Sequence, residues 1–481
     1  MNDLLEAALD AASSAGASYV DARVVEADVE SIGARGPVAE GLDRSHSVGV
    51  GVRVLVQGSW GYSASAVHNN SEVEAIARRA VEVAQSTSSL SKTRVQLVPE
   101  PAHNATWSTP LEIDPFAVSV EDKLSLLTKA AELMQNTEGV RVGRATMDLL
   151  RQRSLFASSE GSFIDQTIIH TGAGIEATAV ADAEVQSRSY PGSFRGHFGS
   201  GGYELIETMN LIEHSPRVAE EAVALLSAPE CPAGRTTLVL DGHQVMLQVH
   251  ESVGHPTELD RVLGLEAAFA GTSFVSIEDL GRLAYGSEHV NITADATVEG
   301  GLGTYRFDDE GVEAQRADLV KDGILVGFQT SRETAAAVGA TRSNGTMRAE
   351  GWENFPLIRM TNVNLVAGSG TLDDLLADVD DGVYMATNKS WSIDDKRKNF
   401  QFGCEIAWEV KQGRLTRMLK DPRYTGLTTE FWRSCDAVAG QEEWRMWGTP
   451  NCGKGQPGQT MRVGHGTSPA RFRNVHVGYS Q

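Results

Sequence analysis

Val249-His250-Glu251-Ser252-Val253-Gly254-His255-Pro256 is the stretch from which the rest of this chain is read. Two imidazoles and a carboxylate stand close together at the end of an apolar run (Val245, Met246, Leu247, Val249) whose spacing predicts a helix. Neutral imidazole nitrogens hold Zn²⁺ without cancelling its charge, and a neighbouring carboxylate can take a proton from water activated there. The histidines are at i and i+5. On a regular α-helix that sets them about 140° apart around the axis, whereas i and i+4 would give about 40°. Both rings face one ion only if a π-turn bulges the helix or the helix stops between them. Gly254 and Pro256 mark where that end or bulge is expected. The competing reading is a buried helix with two hydrogen-bonded histidines.

Working outward, Arg235–Leu240 (RTTLVL) reads as a compact strand feeding directly into the motif helix, which would make its side chains rigid. Upstream, residues 1–95 read as a helix, then strands over Tyr19–Ile32, Val48–Val56 and Trp60–Ser65, then a helix opened by a capping box at Ser71-Glu72-Val73-Glu74. Gly33–Ser47 reads as a Gly-rich turn region. Residues 86–118 read as a Ser/Thr/Pro-rich connector with one short strand, Val95–Val98, which leads into the segment 96–230. That segment holds a helix capped by Ser119, a meander of antiparallel strands, and a helix opened by Ser215-Pro216. Residues 231–481 are strand- and Gly-rich, with Gly300–Gly311 and Asn344–Arg359 as long functional loops. Lys396-Arg397-Lys398 reads as a solvated turn. The fold class expected is α+β: N-terminal α/β layers with antiparallel strands, then a strand-rich C-terminal domain carrying the metal helix. The three domains expected are 1–95, 96–230 and 231–481.

A net charge of −22 over 481 residues argues against a nucleic-acid partner, which needs clustered Lys and Arg. Met1–Gly16 carries acids rather than a basic signal sequence, and no apolar run approaches a membrane span. Four scattered cysteines (Cys231, Cys404, Cys435, Cys452) make no disulfide framework. A soluble cytoplasmic protein is expected.

Two histidines do not complete a catalytic zinc site, which usually has three protein ligands. Glu258 and Asp260 are within chain reach, and Cys452 sits in a glycine-flanked loop, Gly448–Gly455. On physical grounds Glu258 and Cys452 both stay open as the third ligand. The His250–His255 motif, Phe307-Asp308-Asp309-Glu310-Gly311, Cys452-Gly453-Lys454 with Gln456-Pro457, Gly49-Val50-Gly51-Val52-Arg53, Arg359-Met360-Thr361-Asn362 and Thr428–Trp432 together resemble the TldD/PmbA family of metallopeptidases. These anchors span most of the chain. The resemblance is to the TldD-like, metal-bearing branch. It implies zinc held by His250, His255 and Cys452, with Glu251 as general base. It also implies hydrolysis of unstructured peptides in the cavity of a two-subunit assembly, with a TldE/PmbA-like partner or a second copy of the same chain. Pro256 departs from the family, where Gly is usual.

Arg53, Tyr305 and Arg306, with Trp60 and Tyr62, are candidate substrate-binding residues, set against the ordinary placement of strand aromatics in a core. The runner-up function is a non-catalytic assembly partner or regulator with a structural metal, and a third is an amidase acting on small molecules.

Overall fold

Alternation of apolar and polar residues runs through parts of two long strands, Tyr19–Arg35 of 17 residues and Val140–Ser158 of 19. In the computed structural model, which describes residues 2–90 and 93–478, these two strands pair antiparallel from Asp21 opposite Ser158 to Arg35 opposite Arg144. They form the centre of an eight-stranded sheet. Val38–Val56 and then Ser59–Ser65 extend it on one side, and Phe163–Ala181 and Asn104–Ser108 on the other. Glu184–Tyr190 and His197–Ser200 also pair with Phe163–Ala181. Asn104–Ser108 joins in parallel.

One face of this sheet carries two apolar patches, separated by Glu26, Asp28 and Glu30. Val20, Ala22 and Val24 pack beneath helices Asn2–Ser14 and Asn70–Ser88. Ile32 and Ala34, of the same parity, pack beneath Val120–Gln135 and Leu211–Ser227. Segments 1–95 and 96–230 thus each bring a helix pair and an apolar core, yet their strands belong to one sheet. The opposite face carries Asp21, Arg23 and Arg53, all buried, and meets the C-terminal unit.

Several local features differ from expectation. Gly33–Ser47 is strand rather than turn: only Gly36 and Pro37 break the pairing of Tyr19–Arg35 with Val38–Val56. The residues after that break are exposed, so no buried face imprints an alternating pattern on them. The second helix is capped by Asn69, which accepts from the Glu72 amide, and not at Ser71. Leu211–Ser227 begins a turn before Ser215, with Pro216 inside it. Val95 and Val98 each donate to a remote carbonyl, of Gly58 and Arg332, and the short strand of the connector is Asn104–Ser108.

The C-terminal unit is built on a seven-stranded sheet. Asp381–Ile393, Gly234–Leu240, Ala470–Val477, Arg423–Leu427 and Asn399–Lys411 follow one another, and Asp381–Ile393 pairs again with Asn399–Lys411, so the sheet closes on itself. The largest apolar core of the molecule fills and surrounds this ring. The mixed helix-and-strand architecture expected from the sequence is the one observed. Among the described residues no helix is long and apolar enough to cross a membrane.

Candidate metal centre

Strand Gly234–Leu240 ends at Asp241, whose carboxylate accepts from the Gln244 amide and starts helix Gly242–Val249. Every residue of that helix is buried, so its polar members need partners. Gln244 and Gln248 find theirs on the Tyr424 hydroxyl. From His250 to Gly254 the backbone widens into one π-turn, closed by the His255 amide donating to the His250 carbonyl, and a 3₁₀ turn His255–Thr257 follows. This bulge is one of the two arrangements that i, i+5 spacing allows, and it brings the two imidazole centroids to 5.0 Å with the rings perpendicular. Gly254 packs tightly there: a Cβ would sit 2.1 Å from Met360 Sδ, so a larger residue would have to displace that side chain.

Cys452 arrives on the hairpin of Arg445–Lys454 and Gln459–Thr467, where the register slips between Thr449 and Cys452. His250, His255 and Cys452 are all buried, and one donor atom from each lies within 4.8 Å of the other two. Cys452 Sγ is 3.6 Å from His255 Nε2.

Hydrogen bonds behind the rings fix which nitrogen faces this point. His465 Nδ1 lies 2.9 Å from the Val363 carbonyl, which can only accept, so His465 carries its proton on Nδ1. His465 Nε2 must then accept from His250 Nδ1, 2.8 Å away, leaving His250 Nε2 with a free lone pair. Likewise His255 Nδ1 donates to Glu258 Oε2 at 2.9 Å, leaving Nε2 bare beside the thiol. Lys454, two residues after the cysteine, reaches Asp260 at 2.7 Å and Glu258 at 3.3 Å, balancing both buried acids. Burial holds both His250 and His255 below the ordinary imidazole pKa. Burial also opposes ionisation of Cys452, but His255 and Arg359 outweigh it and keep the thiol below its ordinary value.

These residues suit a zinc ion. Bonds of ~2.0 Å to nitrogen and ~2.3 Å to sulfur in a tetrahedron set donors roughly 3.3–3.6 Å apart, and imidazole nitrogen and thiolate sulfur are both usual zinc donors. The sulfur–nitrogen separation of 3.6 Å falls at that value. Glu258, the other candidate left open by the sequence, turns to His255 Nδ1 and Lys454 instead.

Glu251 lies beside the three donors and is ion-paired with Arg397. Arg397 belongs to the basic cluster expected to be a solvated turn. Its side chain is instead largely buried, with Nε unpartnered among the described residues, and its backbone sits at φ 64°. Neither Arg397 nor His465 was singled out in the sequence. Adjacent lysines masked the first, and the only hint of the second is an isolated His between two glycines (Gly464, Gly466).

Glu251, Arg397 and the three donors line one cavity of ≈ 250 Å³. Arg53, Tyr305 and Arg306 are not among its walls. Arg53 is buried between Asp21 (2.6 Å) and Glu310 (3.0 Å), beneath the Trp60 ring. Tyr305 is buried and donates to the Gly345 carbonyl. Arg306 is exposed and paired with Glu313. Trp60 donates to Glu333, and Tyr62 to the Trp352 carbonyl.

Residues 233–479, which hold every residue of this cluster, match the PmbA/TldA metallopeptidase C-terminal domain. The chain belongs to the PmbA/TldD metallopeptidase family. Residues 20–84 match domain 1 and residues 113–228 the central domain of the same family. A metalloprotease of Methanocaldococcus jannaschii, MJ0996, is 29% identical over 448 residues, covering 93% of this chain and 94% of that protein. A metalloprotease TldD homolog of Haemophilus influenzae is 30% identical over 292 residues, 59% of this chain and 58% of that one. The crystal structure of TldE from Thermococcus kodakarensis superposes with a TM-score of 0.71 at 14% identity, over 99% of this chain and all of that one, which is a likeness of fold. The family and its curated relatives mark this chain as a metalloprotease of the TldD/PmbA kind.

Proposed function

We propose that this chain is a zinc-dependent peptidase acting on unstructured peptides or protein segments within a two-subunit cavity. The observation carrying this reading is the meeting of two imidazole nitrogens, each bare because its ring partner is hydrogen-bonded behind it, with a buried thiol. His250, His255 and Cys452 would hold the ion. Zinc, when bound, supplies Lewis acidity and makes water nucleophilic near neutral pH.

The remaining work belongs to the chain. Glu251 takes the proton of the attacking water and returns it to the departing amine, and the Arg397 guanidinium keeps that carboxylate aimed into the cavity. Glu258, Lys454 and His465 keep both imidazoles in the ligating tautomer. A thiolate donor gives a milder Lewis acid than a third histidine, which suits selective processing. The likeness of fold to TldE supports pairing with a TldE/PmbA-like partner, with a homodimer as the other arrangement, and four unpaired cysteines suit a reducing cytoplasm.

Elemental analysis alongside peptide hydrolysis tests the assignment. Glu251→Gln should retain zinc and lose about 10²–10⁴-fold in turnover. Cys452→Ser should lose zinc itself. Full turnover in the first variant or full zinc content in the second removes the corresponding role.

A further inference from the structure

The cavity is lined by two unlike groups of residues. Glu251, Arg397 and the three donors make one. The other contains two large aromatic rings, Phe194 and Trp391, each 45% exposed, with centroids 5.1 Å apart and planes at 88°. Met246, Leu247 and Pro450 join the apolar group. Nothing in the chemistry described above uses this surface.

The loop bearing Phe194 is held in place at a cost. Phe194 sits at φ 54° and Arg195 at φ 79°, left-handed backbone that bulky residues rarely adopt and that persists only where the surroundings enforce it. The enforcement is visible. Arg195 is tied to Asp148 at 2.5 Å, and Gly196 lies against Gly174 so closely that a Cβ would fall 2.4 Å from the Gly174 Cα. Gly192 passes the motif helix at similar range: a Cβ there would meet His243 Nε2 at 2.5 Å. A strained loop from the central unit is thus pressed against the helix of the C-terminal unit, and what it presents to the cavity is an unburied phenyl ring. An aromatic pair left half exposed beside a reactive centre is a surface waiting for an apolar ligand.

We infer that Phe194 and Trp391 form the wall that selects the substrate side chain next to the scissile bond, favouring large apolar residues such as Leu or Phe over Ala or Gly. The inference rests on the peptidase reading above. It separates chemistry from selectivity: the C-terminal unit holds the reacting groups, and the central unit supplies part of the side-chain pocket.

The test uses the zinc-loaded protein in its two-subunit assembly and a series of Gly/Ser-rich decapeptides, each with one central Leu, Phe, Ala or Gly. Mass spectrometry maps the cut, which is expected beside Leu or Phe. The kcat/KM of the Leu peptide should exceed that of the Ala peptide by about 10–100-fold, the scale on which an apolar pocket discriminates. In Phe194→Ser or Trp391→Ser that ratio should shrink to about threefold or less, with zinc content as in the parent protein. An unchanged ratio in both variants overturns the inference. In a second arm, fluorescein-labelled Leu and Ala peptides are titrated into Glu251→Gln protein, which binds without cutting. Tighter binding of the Leu peptide, lost in the double variant with Trp391→Ser, supports the wall. Equal affinity, or no binding of either, overturns it. A parent protein that cuts none of the peptides removes the peptidase reading, while the binding arm still decides the wall.

Discussion

His465 fixes the proton on which His250 depends, although it is absent from the motif. Its Nδ1–H is committed to the Val363 carbonyl and its Nε2 accepts from His250 Nδ1. Removing it in His465→Ala leaves His250 free to take the other tautomer, with its proton where the ion should bind. Zinc affinity should fall about 10–100-fold, the usual scale for such supporting partners, as read by competition with a chromophoric chelator. Unchanged affinity would mean that the ring orientation is set by packing alone. His243, on the same helix, gives a pH-dependent counterpart. Its Nδ1 accepts from the Asn388 amide, so the ring is neutral, and burial first, then His197 and Arg188, lowers its pKa from 6.5 to about 3. The unfolded chain therefore binds a proton near pH 6.5 that the folded chain refuses. This contribution is complete above pH 6.5 and is lost as pH falls toward 3. Comparing parent with His243→Gln in urea at about pH 7 and about pH 5, the parent should lose about 2 kcal/mol more on acidification. At this scale His250, His255, Glu251 and Cys452 were legible as chemistry-bearing residue types. His465 and Arg397 were not, because each acts through a partner that lies 215 or 146 positions away in the chain.

At the scale of elements, the π-turn His250–Gly254 is one of the two arrangements, bulge or helix end, that the sequence spacing calls for, since no regular helix turns i and i+5 to one side. Its fragility is concentrated at Gly254, packed on Met360. Gly254→Ala should overpack the site, costing about 1–3 kcal/mol and weakening zinc binding, and both losses should be relieved in Gly254→Ala/Met360→Ala. Thermal melts and metal titrations of the single and double variants form a cycle, and an additive result would show that the two residues do not conflict. Elements without a buried stripe were harder to read. The Val38–Ser47 arm of the hairpin is exposed although Ile32 and Ala34 on the facing strand are packed, so only its pairing partner defines it. The start of Leu211–Ser227 was obscured by Pro216, which sits inside the helix where a proline more often marks its first turn.

The whole molecule is joined by ion pairs between the large sheet with its connecting turn and the loops of the C-terminal unit, those of Arg53 fully buried. Arg53 bridges Asp21 and Glu310, Arg23 meets Asp309 at 3.1 Å, and Arg332 reaches back to Glu160 at 2.7 Å. Two roles for Arg53 can be told apart by measurement. As a substrate-binding residue, the expectation from sequence, its loss would raise KM and leave stability alone. As a clamp between units, the role its burial supports, Arg53→Met would strand Asp21 and Glu310 without a counter-charge, and stability should fall by about 3–5 kcal/mol. Guanidinium unfolding midpoints and peptide kinetics on the folded fraction decide between them. Neutralising the stranded acids with Asp21→Asn and Glu310→Gln should restore much of the loss, because the penalty lies in the unpaired buried charges. Recovery of stability with KM constant throughout assigns Arg53 to the junction between the units. A raised KM that persists in the triple variant would instead place its guanidinium on the path of the peptide.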